Sequence, residues 1–253
     1  MDVFYSDSHL QHDPPFEIFE GGEKVANFEV PERAVRILAA LQQTSWAKIQ
    51  APHDFGLEPI LAVHDTGYIE FLQTAYTEWL EVETETQQEK SALLPAIFPS
   101  GNWRHKPESL LGRAGYYMND LSAPITAGTY KAALDSANCA ISGARAILSG
   151  QKTSFALCRP PGHHAGKSSC AGYCYINNAA VAANWLSKQG RTAILDIDYH
   201  AGNGTQDIFY ERPDVLTISI HADPDQEYPY FCGYVDESGA GAGLGFHRNY
   251  PLP

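Results

Sequence analysis

The sequence is short of positive charge. It has 17 lysines and arginines against 30 aspartates and glutamates, a formal net charge of −13 over 253 residues. Nucleic-acid binding needs clustered cations, so this balance argues against a nucleic-acid partner and suits either a cationic ligand or, more commonly, simple solubility. No apolar run approaches the roughly 20 residues that span a bilayer, and the amino terminus does not resemble a secretion signal. We therefore expect no membrane partner.

Cysteine is also sparse. The five cysteines are an odd number, and Cys170 and Cys174 form a CxxxC spacing rather than the CxxC of zinc sites. This usage predicts a reduced, cytoplasmic protein without a disulfide framework. Hydrophobic residues make up 44% of the chain, which excludes wholesale disorder. The length is ample for one large core, and we expect a single domain over residues 1–253.

Strands and helices alternate in the second half of the chain, which predicts an α/β fold with a mostly parallel sheet covered on both faces. Ligand sites in such sheets lie at the carboxyl ends of the strands. A loop is expected over 8–22. The predicted strands cover residues 3–6, 154–158, 192–197 and 215–220, and the predicted helices cover 31–44, 67–82, 129–149, 177–189 and 203–210.

One stretch breaks the alternation. Residues from about 83 to 127 begin with an acidic, glutamine-rich run and continue through several prolines with little periodicity. We interpret them as a long insertion that departs from the core. Insertions of this length are more often functional or interfacial than idle.

A candidate metal site follows the strand over 192–197. In an extended chain Asp196, Asp198 and His200 share one face. Ile194, Leu195 and Ile197 indicate a strand buried on both sides, where unpaired carboxylates would be costly. A divalent cation removes that cost, and zinc suits this donor set better than iron or manganese. In the alternative, Asp196 caps the next helix and Asp198 forms a surface ion pair.

Two adjacent histidines follow the strand over 154–158. The sequence Pro-Pro-Gly holds His163 and His164 on a rigid loop beside the candidate metal site, where neighbouring imidazoles suit proton transfer. Asp196 and Asn203 could orient them. Gly172 and Tyr173 indicate either one wall of a narrow channel or a turn with core aromatics.

Together the motifs RPPGHHA, GYCYINN, ILDIDYHAGNGTQDIFY and SIHADP resemble the arginase–deacetylase superfamily. Within it they resemble class II histone deacetylase-like enzymes, and most closely the bacterial acetylpolyamine amidohydrolases. The resemblance runs from Val3 to the end of the chain. It implies a three-layer αβα fold with a mostly parallel central sheet. It also implies zinc-dependent removal of acetyl groups from N-acetylated polyamines, which are small cationic amines, by metal-activated water.

The resemblance assigns roles by position. Asp198 and His200 match two of three zinc ligands; His163 and His164 match the tandem catalytic histidines, with Asp196 behind the first and Asn203 behind the second. A structural potassium site matches the main-chain oxygens of Asp198, His200 and Ile220 with the side chains of Asp196 and Ser219. The acyl-chain tunnel matches Gly172, Tyr173 and Tyr228. The insertion matches a segment that narrows the entrance and builds a homodimer.

Two family features are not found in this sequence: the aspartate that supplies the third zinc ligand, and a Gly-Gly-Tyr loop whose tyrosine stabilises the oxyanion. The fold is accordingly expected to be incomplete at its C-terminal side. Two interpretations stay open, a fragment of a longer enzyme and a truncated, non-catalytic module that binds metal or an acylated amine. The competing enzymatic hypothesis is an acetyl-lysine protein deacetylase, which the long insertion opposes. Candidate polyamine-selecting acids are Glu17, Glu20, Glu108 and Asp120.

Overall fold

A computed structural model of the chain describes residues 1–83, 90–99 and 105–253. The strands are β1 (Asp2–Phe4), β2 (Glu17–Phe19), β3 (Glu23–Val25), β4 (Lys48–Gln50), β5 (Ser154–Ala156), β6 (Thr192–Asp196), β7 (Val215–Ala222) and β8 (His247–Leu252). The helices are α1 (Glu32–Gln42), α2 (Glu58–Leu61), α3 (Thr66–Glu81), α4 (Leu110–Tyr117), α5 (Thr129–Leu148), α6 (Asn178–Ser187) and α7 (Asn203–Phe209). Within these ranges, no helix is long and apolar enough to cross a bilayer.

Six of the strands are parallel and form two three-stranded sheets, in the orders β4-β1-β5 and β6-β7-β8. The remaining two, β2 and β3, form an antiparallel hairpin. Helix α5 packs on β1 and β5, and α6 packs on β6 and β7. The α/β class with parallel strands is therefore confirmed. Residues 8–22, expected to form a loop, instead contain β2 and short 3₁₀ turns.

The predicted helices and strands are present with ends that shift by a few residues. Local chemistry sets several of these ends. The Asp65 side chain accepts hydrogen bonds from the first turn of α3, and the Asn177 side chain accepts one from Ala180 N at 3.0 Å at the start of α6. After α5, Gly150 adopts a φ of +100°, a conformation that ends the helix at little cost.

The segment from 83 to 127 is not wholly an excursion from the core. Leu110, Ala114 and Tyr117 lie on one face of α4 and are buried in the main hydrophobic cluster. Leu93 and Ile125 exchange two backbone hydrogen bonds and are buried there as well. The prediction was wrong here because α4 is only two turns long and prolines precede it. The parts at 84–89 and 100–104 lie outside the described residues.

The expectation that β6 is buried on both faces is also wrong. Leu195 is 60% exposed and Ile197 is 76% exposed, whereas Ile194 packs against the core. Side chains alternate across a strand, and α6 covers only the face that carries Ile194. Among the described residues, β6 pairs with β7 alone.

A buried histidine makes the stability of the fold depend on pH. His64 is 2% exposed; its Nδ1 lies 2.9 Å from Gly166 O, and its Nε2 accepts a hydrogen bond from Asn177 N at 3.0 Å. Burial lowers the pKa of His64 to about 4. Because the unfolded chain takes up this proton near pH 6.5, stability present above pH 6.5 is lost as the pH falls towards 4.

We expect His64 to contribute a loss on the order of 3 kcal/mol in the free energy of unfolding between pH 7 and pH 4. Urea denaturation at several pH values should show a weaker acid dependence in His64→Gln than in the unmodified chain. The exposed His53, changed to glutamine, is the control and should leave the dependence unchanged. An identical pH profile in His64→Gln would contradict the prediction.

Candidate active site

The loops after β5, β6 and β7 meet around one cavity of about 540 Å³. The cavity opens at the carboxyl ends of the strands, where parallel sheets place their ligands. Its wall also contains Ile18, Phe19 and Phe28 from the β2–β3 hairpin region, which the sequence reasoning missed. The glycine pair at 21–22 between two short apolar stretches was the signal for that hairpin. The predicted site residues that line the cavity are His163, His164, Gly172, Tyr173, Asp198, His200 and Tyr228.

The chain does not stay extended from Asp196 to His200. Strand β6 ends at Asp196, whose Oδ1 accepts a hydrogen bond from Asp198 N at 3.0 Å; Asp198 Oδ1 accepts one from His200 N at 2.9 Å. These two successive turns replace the extended geometry on which the shared-face argument rested. They still bring His200 Nδ1 to 3.5 Å from Asp198 Oδ1. Asp198 and His200 therefore lie together in the cavity wall.

Asp196 has a different environment from Asp198. Its Oδ2 lies 2.9 Å from His163 Nδ1. It does not cap the following helix, because α7 begins after Gly202 without a side-chain hydrogen bond at its cap. The alternative in which Asp196 serves as a helix cap is therefore wrong, and its carboxylate is placed to orient an imidazole.

The two adjacent histidines have different partners. His163 lies against Asp196, whereas His164 Nδ1 is 2.7 Å from Asn203 Oδ1. The amide oxygen of Asn203 can only accept, so Nδ1 of His164 carries the hydrogen and Nε2 is left as an acceptor. The two rings are in contact, with centroids 3.9 Å apart and planes tilted by 42°. Each imidazole thus has one ring nitrogen fixed by a neighbour and the other available.

The pKa values of the two histidines are shifted in opposite directions. Burial acts to lower the pKa of His163, but the hydrogen bond and charge of Asp196 outweigh it and raise the pKa above its ordinary value. For His164, burial and the neighbouring His163 hold the pKa well below its ordinary value. His163 therefore binds a proton more readily than His164, a difference of the kind that separates an acid from a base in a catalytic pair.

Asp198 is a carboxylate at neutral pH. Burial works to raise its pKa, but hydrogen bonding with His200 and the nearby imidazole of His163 hold the pKa well below its ordinary value. His163 Nε2 lies 3.7 Å from Asp198 Oδ1. The cavity floor thus combines one negative charge with neighbouring ring nitrogens, a set of donors that suits a divalent cation.

Tyrosines and a glycine form the sides of the cavity. Gly172 has a φ of +50°, and a Cβ there would lie 2.3 Å from His164 Cδ2, so only glycine fits. The Tyr173 hydroxyl donates to Glu17 Oε1 at 3.1 Å. Tyr228 meets both His164 and His200 edge-on, with ring centroids 4.9 and 5.8 Å away. The three predicted wall residues therefore surround the imidazoles.

Residues predicted for a potassium site also lie close together. Asp196 and Ser219 are neighbours in register on β6 and β7, and Ile220 follows on β7. Ser219 Oγ lies 2.7 Å from His221 Nδ1.

Among residues 1–83, 90–99 and 105–253, no group of three or more histidine, cysteine, aspartate or glutamate side chains is arranged to hold a metal ion.

A buried ion pair beneath the site was also missed. Arg159 is 3% exposed and donates to Glu29 Oε1 at 2.9 Å, to Glu29 O at 3.0 Å and to His9 O at 2.5 Å. It joins the loop that carries the tandem histidines to the segment before α1. The sequence offered Arg159 only as the first letter of a motif and gave no signal that Glu29 is its partner.

Comparison with known proteins assigns the chain to a family. The histone deacetylase domain matches residues 27–253. The chain is 48% identical to "Acetylpolyamine amidohydrolase 2" of Pseudomonas aeruginosa over 255 aligned residues, which cover all of this chain and 72% of that relative. It is 46% identical to "Acetylpolyamine amidohydrolase" of Mycoplana ramosa, covering all of this chain and 73% of the relative.

A solved structure agrees. The crystal structure of an acetylpolyamine aminohydrolase from Burkholderia pseudomallei superposes with a TM-score of 0.94 at 40% identity, covering all of this chain and 72% of that one. The domain match, the identity to these relatives and the shared fold together show that this chain belongs to the histone deacetylase family.

Proposed function

We propose that this chain is a metal-dependent amidohydrolase that removes acetyl groups from N-acetylated polyamines. As a member of its family it is a hydrolase of the deacetylase class. The observation that carries the proposal is the tandem histidine pair, whose members have different partners and opposite pKa shifts in a cavity that also holds Asp198 and His200. The relatives named as acetylpolyamine amidohydrolases support the substrate class.

Zinc is the metal proposed for Asp198 and His200. Their facing atoms are 3.5 Å apart, close to the about 3.4 Å that separates two ligands of a tetrahedral zinc ion. When bound, such an ion supplies Lewis acidity to a water molecule and to the amide carbonyl. Catalytic zinc sites usually have three protein ligands, and these two residues supply only part of that set. A structural potassium ion at Asp196, Ser219 and the neighbouring main-chain oxygens also remains a proposal.

The protein's own contribution is proton transfer. His164 Nε2 accepts a proton from the attacking water, because Nδ1 already donates to Asn203 and the ring is neutral. His163, whose pKa Asp196 raises, donates a proton to the departing amine. Asp196 and Asn203 hold the two rings in the tautomers that these steps require.

A cationic substrate fits the charges around the cavity. Glu227 lines it, and Glu17 and Asp120 lie behind the tyrosine walls. Glu29 is also in the lining, but its charge is balanced by Arg159 and by Arg33, which lines the cavity too. Carboxylates at a concave surface attract an amine cation. Of the other candidate acids, Glu108 is exposed and does not line the cavity, and the side chain of Glu20 lies outside what the structure describes.

Assembly and location complete the proposal. Ile97 and Phe98 are 69% and 41% exposed on the described part of the insertion, and exposed apolar groups of this kind suit contact with a second copy of the chain. A homodimer built through the insertion is therefore proposed. All five cysteines are free thiols, in keeping with a reducing, cytoplasmic location.

The test is hydrolysis of paired substrates by the zinc-supplemented protein. We expect acetylputrescine to be cleaved with a kcat/KM at least about tenfold higher than that of an uncharged acetylated alkylamine or an acetyl-lysine peptide. A chelator should abolish the activity. Preference for the peptide would favour a protein deacetylase and overturn the substrate assignment.

A second candidate is a binding module without turnover. The observation that favours it is the two-residue donor set at Asp198 and His200. Calorimetry with acetylputrescine separates the two functions. Binding without hydrolysis, in protein shown to contain zinc, would establish the module and refute the enzyme.

A further inference from the structure

A single carboxylate joins the two sides of the cavity. Asp120 follows α4, and its Oδ2 accepts hydrogen bonds from Gly172 N at 2.6 Å and from the Tyr228 hydroxyl at 2.8 Å. Its other oxygen accepts one from Ser122 N at 3.0 Å. Three hydrogen bonds therefore hold the side chain of Asp120 in place.

The two partners of Asp120 Oδ2 come from separate loops. Gly172 precedes α6 in the chain, and Tyr228 follows β7. Both contact the same imidazole: a Cβ at Gly172 would collide with His164, and the edge of the Tyr228 ring meets it at 4.9 Å between centroids. A shift of either partner therefore changes the space beside His164.

Asp120 itself lies behind these walls. It does not line the cavity, whereas Gly172 and Tyr228 do. It makes no hydrogen bond to His163, His164 or His200 among those found in the described part of the chain. Its influence on a substrate must act through the residues that it holds.

We propose that Asp120 is a positioning residue that sets the width of the passage between Gly172 and Tyr228. The passage, so fixed, admits an unbranched acetylated amine and rejects one branched at the carbon next to the amide nitrogen. The assignment rests on the proposed function, because it concerns how a substrate reaches the same imidazoles. It names a specificity determinant outside the residues that touch the substrate.

Tyr173, which follows Gly172 on the same wall, supplies a contrast. Tyr173 is held by Glu17, which is fully buried and has a second oxygen, Oε2, without a hydrogen-bond partner among the described residues. Glu17 therefore fixes one wall only. Asp120 is bonded to both a wall tyrosine and the opposite glycine, so its loss loosens two sides together.

The experiment compares two acetylated amines of equal charge, one unbranched and one branched beside the amide nitrogen. In Asp120→Ala we expect KM for the unbranched substrate to rise about tenfold or more, with kcat changed less than about threefold. The preference for the unbranched over the branched substrate should fall by a similar factor. Asp120→Asn, which keeps an acceptor oxygen, should restore most of the KM and the preference.

Tyr228→Phe removes the hydroxyl and keeps the ring. Combining it with Asp120→Ala gives the double variant of a double-mutant cycle. The double variant should be closer to Asp120→Ala than additivity predicts, because both members of one hydrogen bond are gone. The matched control is Asp225→Ala, which removes a second tyrosine–aspartate hydrogen bond, from Tyr234 at 2.9 Å, away from the cavity wall. It should leave the preference unchanged.

An equal loss of kcat/KM for both substrates would indicate a general structural role and overturn the proposal. A loss confined to kcat would overturn it as well. If Asp120→Ala does not fold, Tyr228→Phe alone tests the hydrogen bond between Tyr228 and Asp120. An unchanged substrate preference in Tyr228→Phe would then refute the proposal. Calorimetric binding of the two amines is recorded in parallel. If the unmodified protein binds both amines but hydrolyses neither, the proposed function fails, while the binding preference still tests Asp120.

Discussion

Replacing His164 with alanine is expected to lower kcat about 100-fold or more while zinc stays bound. The ring is the neutral member of the tandem pair, with Nδ1 committed to Asn203 and Nε2 available as a proton acceptor. Loss of a positioned general base typically costs a factor of 10² to 10⁴. The measurement is kcat with acetylputrescine in zinc-supplemented protein, alongside the metal content of the purified variant.

His163→Ala should also reduce turnover, by a different route. It removes the imidazole that lies against Asp196 and leaves that carboxylate without its partner. The exposed His53→Ala is the control and should retain full activity. Near-normal kcat in both site variants would show that the tandem pair does not transfer protons.

Replacing His200 with alanine is expected to weaken zinc binding by more than about 100-fold. The imidazole is one of two side chains proposed to hold the metal, and Asp198 would be left as the sole donor. Loss of an outer partner of a metal ligand already costs 10–100-fold in affinity, so loss of a ligand itself should cost more. Activity should disappear with the metal.

The affinity is measured by competition with a chromophoric zinc chelator, which does not depend on turnover. Thermal unfolding with and without zinc gives a second readout, because a ligand that binds the folded chain raises its stability. His53→Ala again serves as the control. Unchanged zinc affinity in His200→Ala would refute the metal assignment, whatever happens to the activity.

The sequence predicted much of the fold because the signals are local. Caps such as Asp65 and Asn177, and a helix-ending glycine at 150, act over a few residues, so the long helices could be placed to within a turn. Prediction from the local sequence pattern failed where a helix or strand is short. Helix α4 is stabilised by burial against distant parts of the chain, and the β2–β3 hairpin is bonded to a distant loop through Ile18 N and Leu121 O. Few residues carry the local signal of either element.

Residue types and their order also determined which side chains are candidates for the chemistry. His163, His164, Asp198 and His200 follow strands, and strand ends in a parallel sheet meet at one edge. The extended geometry assumed for 196–200 was wrong, yet Asp198 and His200 lie together because consecutive aspartate-stabilised turns curl the loop back. Asp198 and His200 thus lie side by side, as predicted, but for a reason that the sequence did not contain.

Only the tertiary structure decided how those side chains differ. Two adjacent histidines look equivalent in the sequence, but a carboxylate raises the pKa of His163, whereas burial and the neighbouring His163 lower the pKa of His164. The bond from Tyr228 to Asp120 spans 108 positions of the chain, and the Arg159–Glu29 pair spans 130. Composition and periodicity report only on residues that are close along the chain. Residues this far apart in sequence are brought together by packing, and packing therefore sets the charge and the shape of the site.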